Sequence, residues 1–326
     1  MPPTSKPYRD YADLLSELFP WKMQKLSVNA GFTCPNRDGS IGTGGCTYCN
    51  NASFSPSYCD PSDPVTTQLE KGKAFFGKKY ADMRYLAYFQ TYTNTLAGNE
   101  RLLQLYTEAL SVDSVEGIVI GTRPDCIPPK LIEALSLLSN GQRGRVMVEL
   151  GAESSHQRTL TRINRCHTWA DTVQAVHAVH TAGIPVGVHL IMGLPGETRD
   201  DMLATIDAVN TLPIDMVKIH QLQILRGTHM AREYACHDTD IRLFDVDSYL
   251  DLCCDIVRRL RRDIAIDRFI SQSPADMLIA PRWGLKNYQF VHLLHRRLAQ
   301  TATLTSGNDR QCRPMRRDVA DGVARF

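Results

Sequence analysis

The sequence predicts an α/β fold, an incomplete (β/α)6 TIM-like barrel with helical N- and C-terminal extensions. Three observations predict it. Strand-like and helix-like segments alternate six times between residues 25 and 222, the pattern of right-handed βαβ crossovers and a parallel sheet. Hydrogen-bonding or glycine residues stand at the C-terminal end of each of the six strands, where barrels of this kind meet their ligands. The flanks, by contrast, read as helical.

Taken in order, residues 1–24 carry Tyr8, Tyr11, Leu14, Leu15, Leu18 and Phe19 at helical spacing. This extension is expected to pack over a barrel end. Residues 25–32 read as the first strand, ending at a glycine-rich loop with Cys34, Cys46 and Cys49. A helix is expected over 65–79 and strand two over 85–90, ending in the polar run 89–95. A helix over 100–110 leads to strand three, 117–122, which ends in Gly121-Thr-Arg-Pro-Asp-Cys126. A helix over 129–138 and strand four, 145–151, follow, with Glu149-Leu-Gly-Ala-Glu-Ser154 at its end. After a helix over 168–182, strand five (184–193) carries His189 into Gly193-Leu-Pro-Gly-Glu197. A helix over 199–210 precedes strand six (216–222), which bears Lys218 and His220.

The pattern then changes. One long amphipathic helix is expected over 244–265, carrying Arg258, Arg259, Arg261 and Arg262, and another over 287–299. The polar tail from residue 300, with Arg310, Arg313, Arg316 and Arg317, reads as disordered. The expected organisation is an extension over 1–24, the partial barrel over 25–230, a helical cap over 231–299 and a basic tail over 300–326.

Composition narrows the function classes. The 37 basic and 35 acidic residues give a net charge of +2, so overall charge names no partner. Ten cysteines with no apolar leader segment suit a reducing compartment in which thiols serve metals. No apolar run approaches membrane-spanning length. A cytoplasmic, soluble protein without membrane partners is expected.

The cysteine loop carries the chemistry. Cys34 and Cys46 are separated by eleven residues, and Cys46 and Cys49 by two. Such spacings hold zinc or an iron–sulfur cluster. Zinc in a structural site takes four protein ligands, and Cys59 is available to complete that set. Three thiolates on a four-iron cluster leave one iron open. A packing role for all three is the blander alternative. A structural zinc does not require the other five strand ends to be decorated, and this favours the open cluster.

The chain resembles the radical S-adenosylmethionine (SAM) superfamily. Within it, the chain looks like the YhcC-type family, which is similar to the radical SAM domain of the Elongator catalytic subunit. The resemblance covers residues 20–285. It rests on Cys34-Pro-Asn-Arg, Gly45-Cys-Thr-Tyr-Cys-Asn50, Tyr88-Phe-Gln-Thr-Tyr-Thr-Asn-Thr95, Gly121-Thr-Arg-Pro-Asp-Cys126, Glu149-Leu-Gly-Ala-Glu-Ser154, Ile163-Asn-Arg-Cys-His-Thr168, Gly193-Leu-Pro-Gly-Glu-Thr198 and Val217-Lys-Ile-His220.

It implies a 4Fe–4S cluster on Cys34, Cys46 and Cys49, with SAM chelating the fourth iron. By similarity, the loop from Gln90 to Asn94 lies near the SAM amino group. Glu153, Arg165 and His189 stand where relatives contact ribose and carboxylate, and Ile191 and Gly193 would line the adenine. An electron donor such as flavodoxin or ferredoxin is implied, and RNA is raised as a substrate class. Two positions depart from the family pattern. Ala152-Glu153 replaces Leu-Gln, and Cys166 stands where glycine is usual. Cys59, Cys126 and Cys166 are expected to be packed thiols, as is the pair Cys253-Cys254 on the long helix. Two other function classes stay open. One is a zinc- or cluster-binding module that contacts nucleic acid without catalysis. The other is a barrel enzyme with Lys218 or His220 as base.

Overall fold

A computed structural model describes residues 6–77, 82–236 and 240–308. Helix α1 (Tyr11–Leu18) leads into β1 (Met23–Val28), and the alternation follows as α2 (Val65–Phe76), β2 (Arg84–Phe89), α3 (Asn99–Leu110), β3 (Val115–Thr122), α4 (Pro129–Ser139) and β4 (Val146–Glu153). It continues with a short α5 (Gln157–Arg162), α6 (Trp169–Thr181), β5 (Val186–Met192), α7 (Arg199–Asn210) and β6 (Met216–Gln221). Then come β7 (Ile224–Leu225), α8 (His229–Ala235), α9 (Val246–Arg259), β8 (Ala265–Ile266), β9 (Leu278–Ala280) and α10 (Asn287–Asn308). The main sheet has seven strands in the order β1-β2-β3-β4-β5-β6-β8, all parallel.

The sheet is curled into a half-barrel. Lys25 on the β1 edge reaches to 3.1 Å from Asp267, just past β8 on the other edge. Alternation along each strand then sorts the side chains. Outward residues such as Val146, Val148 and Leu150 pack under the helices in one large apolar core. Inward residues form layers. At the N-terminal end Leu86, Val119 and Met147 meet Leu15 and Phe19, and Met216 and Ala265 meet Leu14. Helix α1 therefore plugs that end, as its apolar spacing predicts. It is fixed by a capping box in which Asp10 and Asp13 exchange side-chain and backbone bonds. Above the plug lies a charged layer, and above that a cavity at the C-terminal strand ends.

The structure revises several expected boundaries. A seventh strand, β8, extends the six. The helix expected over 244–265 is α9, ending at Arg259, because Leu260 turns to extended backbone (ψ 137°) and residues 265–266 join the sheet. Helix α10 runs on to Asn308, past the expected end at 299. Residues 309–326, with the four tail arginines, lie outside the described residues.

The arginines of the α9 end are engaged within the chain. Arg259 grips Asp207 at 2.5 and 2.6 Å, Arg261 binds Asp263, Arg258 binds Asp255, and Arg262 donates to the Pro7 carbonyl. Cys253 and Cys254 are buried in the outer core. Among the described residues no helix is long and apolar enough to cross a membrane.

Candidate functional site

The cysteine loop has little regular structure, so its backbone is held by its neighbours. Thr47 N–H donates to the Ile163 carbonyl at 3.0 Å, and Met230 N–H to the Thr47 carbonyl at 2.8 Å. The Asn164 side chain donates to the Gly45 carbonyl at 2.9 Å. Gly45 has φ +75°, and a Cβ there would stand 2.8 Å from the Arg37 guanidinium, so only glycine fits. Arg37 in turn donates to the Cys49 carbonyl. The loop after β1 is thus clamped by the turn that follows α5 and by the start of α8.

Cys34, Cys46 and Cys49 all line one open cavity at the C-terminal strand ends. Gln90, Glu153, Arg165, His189 and Ile191 line the same cavity. Asn94 and Gly193 are not among its lining residues. Asn94 is fully buried and donates to the Phe89 and Gly121 carbonyls, tying β2 to β3. Gly193 takes φ +88°, and a Cβ there would fall 3.1 Å from the Phe244 ring.

Glu153 reaches the cavity because β4 has a bulge there. Its pairing with β5 shifts register between Gly151 and Glu153, and Glu153 takes φ +68°. A bulge re-aims a side chain in this way. The carboxylate lies 3.3 Å from Arg165. Arg165 also donates to the Gly151 carbonyl at 2.6 Å and reaches Cys46 Sγ at 3.6 Å. The glycine at 151 leaves room for that guanidinium, since a Cβ would fall 2.6 Å from Arg165 Nη2.

Further N–H groups point at the sulfurs. Asn36 Nδ2 is 3.7 Å from Cys46 Sγ, and Asn51 Nδ2 is 3.5 Å from Cys49 Sγ. Burial, with Cys46 beside it, pushes the Cys49 thiol up to about 11.

Arg123 was not singled out by sequence reasoning, though it stands in the strand-three end motif. Its side chain is 3% exposed and forks onto Asp125 through Nε and Nη2 at 2.9 and 2.8 Å. Its Nη1 has no partner, and neither has Arg165 Nε nor Thr93 Oγ1, although all three atoms are buried on cavity-lining residues. Buried donors left unpaired cost about 1–3 kcal/mol each, more when charged. Two guanidiniums with a spare N–H at one cavity suit an anionic ligand such as a carboxylate.

Among the described residues no three His, Cys, Asp or Glu side chains converge as ligands of a single ion must. Ligands of a four-iron cluster need not converge, because each thiolate takes a different iron. Cys59 is not among the lining residues. It donates to the Ser27 carbonyl at 3.0 Å, and burial pushes its thiol up to about 12. Cys126 is likewise pushed up to about 12 by burial. Cys166, expected to be a packed thiol, is instead exposed, because it sits in a left-handed turn beside the cysteine loop. Three thiols, donors to two of them and the unpaired arginine N–H groups fit a cluster with an amino-acid carboxylate beside it.

The charged layer forms the cavity floor. Glu149 accepts from Lys218 at 2.6 Å, Lys25 at 2.8 Å, Tyr88 Oη at 2.6 Å and His189 Nε2 at 2.7 Å. Lys218 also lies 3.1 Å from Asp267. Against the cost of burial, Lys218 and Lys25 hold the Glu149 carboxyl well below its usual range. Burial, with Lys25 adding to it, draws Lys218 down to about 8. Burial also lowers His189, and lowers His220 strongly, so both rings are neutral. With Nε2 donating to Glu149, His189 keeps Nδ1 as an acceptor.

The chain is similar to known proteins in sequence and in fold. Residues 34–209 match the model of the Radical SAM superfamily, and residues 214–300 that of the Radical_SAM C-terminal domain. The chain is 35% identical to YtqA of Bacillus subtilis over 90% of both chains. It is 34% identical to YhcC of Escherichia coli K12 over 82% of this chain and 85% of that one. A shorter match, 30% identical over 41% of this chain and 26% of the relative, is to a tRNA uridine(34) acetyltransferase of Methanocaldococcus infernus. In fold, the chain is similar to Elp3 of Methanocaldococcus infernus, with TM-score 0.62 and 15% identity. That likeness covers 86% of this chain and 64% of the other. With its motifs, its half-barrel and these matches together, the chain belongs to the radical SAM superfamily, whose cofactors are a 4Fe–4S cluster and S-adenosylmethionine.

Proposed function

We propose that the protein is a radical SAM enzyme in which Cys34, Cys46 and Cys49 hold the 4Fe–4S cluster and SAM completes the fourth iron. The observation that carries this reading is the sharing of one cavity by three thiols and two buried arginines with spare N–H groups. When bound, the cluster supplies the electron that cleaves SAM to methionine and a 5′-deoxyadenosyl radical. The chain's own residues bind and orient. Arg165 and Arg123 receive the SAM carboxylate, and Glu153 accepts hydrogen bonds from the ribose hydroxyls. Ile191 faces the adenine, and Gln90 is placed for the amino group. His189 offers a neutral acceptor at Nδ1. The curled sheet and the α1 plug exclude water from below, which protects a reactive radical from side reactions.

The electron donor is a small redox protein of the flavodoxin or ferredoxin kind, and an RNA is the substrate class we favour. Likeness to a tRNA uridine(34) acetyltransferase supports RNA. The arginines at the end of α9 add little, since carboxylates and carbonyls of the chain already engage them. A deletion strain whose total RNA retains every modified nucleoside of the parent would remove RNA as the substrate.

The decisive experiment uses protein purified and reconstituted without oxygen. Iron, zinc and 5′-deoxyadenosine are measured after reduction and addition of SAM. The reading expects about four irons per chain and a cleavage product that vanishes in Cys34→Ala. Zinc without cleavage would favour a non-catalytic metal-binding module that contacts nucleic acid.

A further inference from the structure

Asn36 is fully buried between the cysteine loop and the turn that follows α5. Its Nδ2 faces two acceptors, the Asn164 carbonyl and Cys46 Sγ, the latter at 3.7 Å. Its Oδ1 faces a donor, the Cys166 thiol, with Sγ at 3.2 Å. The amide is thereby fixed in one sense. Turned over, it would set Oδ1 against a carbonyl and a sulfur and leave the thiol facing an NH2 group.

The surroundings are built for this contact. Cys166 takes φ +59° and Asn164 φ +52°, left-handed conformations that cost a non-glycine residue about 1–2 kcal/mol. The Asn164 side chain holds the turn to the loop through the Thr43 and Gly45 carbonyls. Gly42 leaves space for the contact, since a Cβ there would fall 2.4 Å from Asn36 Oδ1 and 3.1 Å from Cys166 Sγ. The thiol's other acceptors lie on the same turn, Asn164 Oδ1 at 3.4 Å and the Asn164 carbonyl at 3.8 Å, both farther than Asn36 Oδ1.

We infer that Cys166 is a positioning residue whose S–H holds the Asn36 amide so that an N–H points at Cys46, raising the reduction potential of the cluster bound there. The physical cause is charge. A ligand sulfur is more negative in the reduced cluster, so a fixed N–H donor stabilises the reduced form more than the oxidised one. The inference deepens the proposed function and rests on Cys46 as a cluster ligand.

The test is a redox titration of the reconstituted protein, wild type against Cys166→Ala and Cys166→Ser, followed by electron paramagnetic resonance with iron determined on each sample. Cys166→Ala is expected to keep its iron. At a fixed solution potential its reduced-to-oxidised ratio should fall about threefold or more, from the weakening of one hydrogen bond. Cys166→Ser, which keeps a donor, should return the ratio to the wild-type value. The exchangeable-proton coupling to the reduced cluster, lost in deuterium oxide, should weaken in Cys166→Ala alone. Equal potentials in wild type and Cys166→Ala, or no rescue by serine, would overturn the inference and leave the cluster reading intact. Loss of iron from Cys166→Ala would mean a structural brace and would also overturn it. Wild-type protein that holds no iron sinks the cluster reading itself.

Discussion

The Lys218 ammonium lies 2.6 Å from the Glu149 carboxylate, and both side chains are buried inside the half-barrel. Around them Lys25 and Asp267 complete a set of two cations and two anions. Breaking a buried pair on one side leaves an uncompensated charge and costs about 3–5 kcal/mol. Lys218→Met should therefore lower stability by about that amount. The double variant Lys218→Met with Glu149→Gln leaves Lys25 and Asp267 paired and should recover most of it. Urea denaturation of the single and double variants measures the coupling. A double variant no more stable than Lys218→Met would contradict a balanced layer.

Gly151 gives Arg165 its place at the cavity. Gly151→Ala sets a methyl 2.6 Å from Nη2 and 2.8 Å from Glu153 Oε1, so the guanidinium and carboxylate must both move. The fold should survive, because the displaced groups are ends of flexible side chains. SAM affinity of the reconstituted protein, measured by calorimetry, is expected to fall about tenfold, the loss of one charge-assisted hydrogen bond. Unchanged affinity would separate Arg165 from the SAM site.

These two sites differ in how far the sequence revealed them. Six strands were legible because strands covered on their outer face read as apolar runs, as Val146, Val148 and Leu150 do. Strand β8 was not, because it is two residues long and follows an amphipathic run that continues the pattern of α9. The three cysteines were legible from spacing, since loop chemistry is local. Lys25 was not, because a lone lysine in a strand looks like a solvent-facing residue. Its partners Glu149 and Asp267 are 124 and 242 residues away and meet it only once the sheet curls. Arg123 stood in a legible strand-end motif, but its own part in the site showed only in its burial and its unpaired N–H.

The neutral histidines of the floor give a pH dependence. His220 is held well below the usual 6.5, first by burial and then by nearby cations, and His189 is lowered as well. Below that value the unfolded chain takes up protons that the folded chain refuses. Stability is thus complete above about pH 6.5 and is lost as pH falls from there toward the folded values. The melting temperature should drop between about pH 7 and pH 5.5, and His220→Gln should flatten the drop. An equally steep profile in His220→Gln would assign the dependence to other groups.

Cys59 separates the two metal readings. A four-thiolate zinc site needs it as the fourth ligand. In the fold it instead donates to the Ser27 carbonyl at 3.0 Å, away from the cavity walls, and its thiol is pushed up to about 12 by burial. Cys59→Ala should keep the full iron content and the 5′-deoxyadenosine yield of the wild type. Its cost in stability should be about 1 kcal/mol, the loss of a small buried group and one hydrogen bond. Cys46→Ala should instead lose most of its iron. Loss of metal from both variants to the same extent would restore the four-cysteine site and remove the open iron on which the proposed chemistry depends.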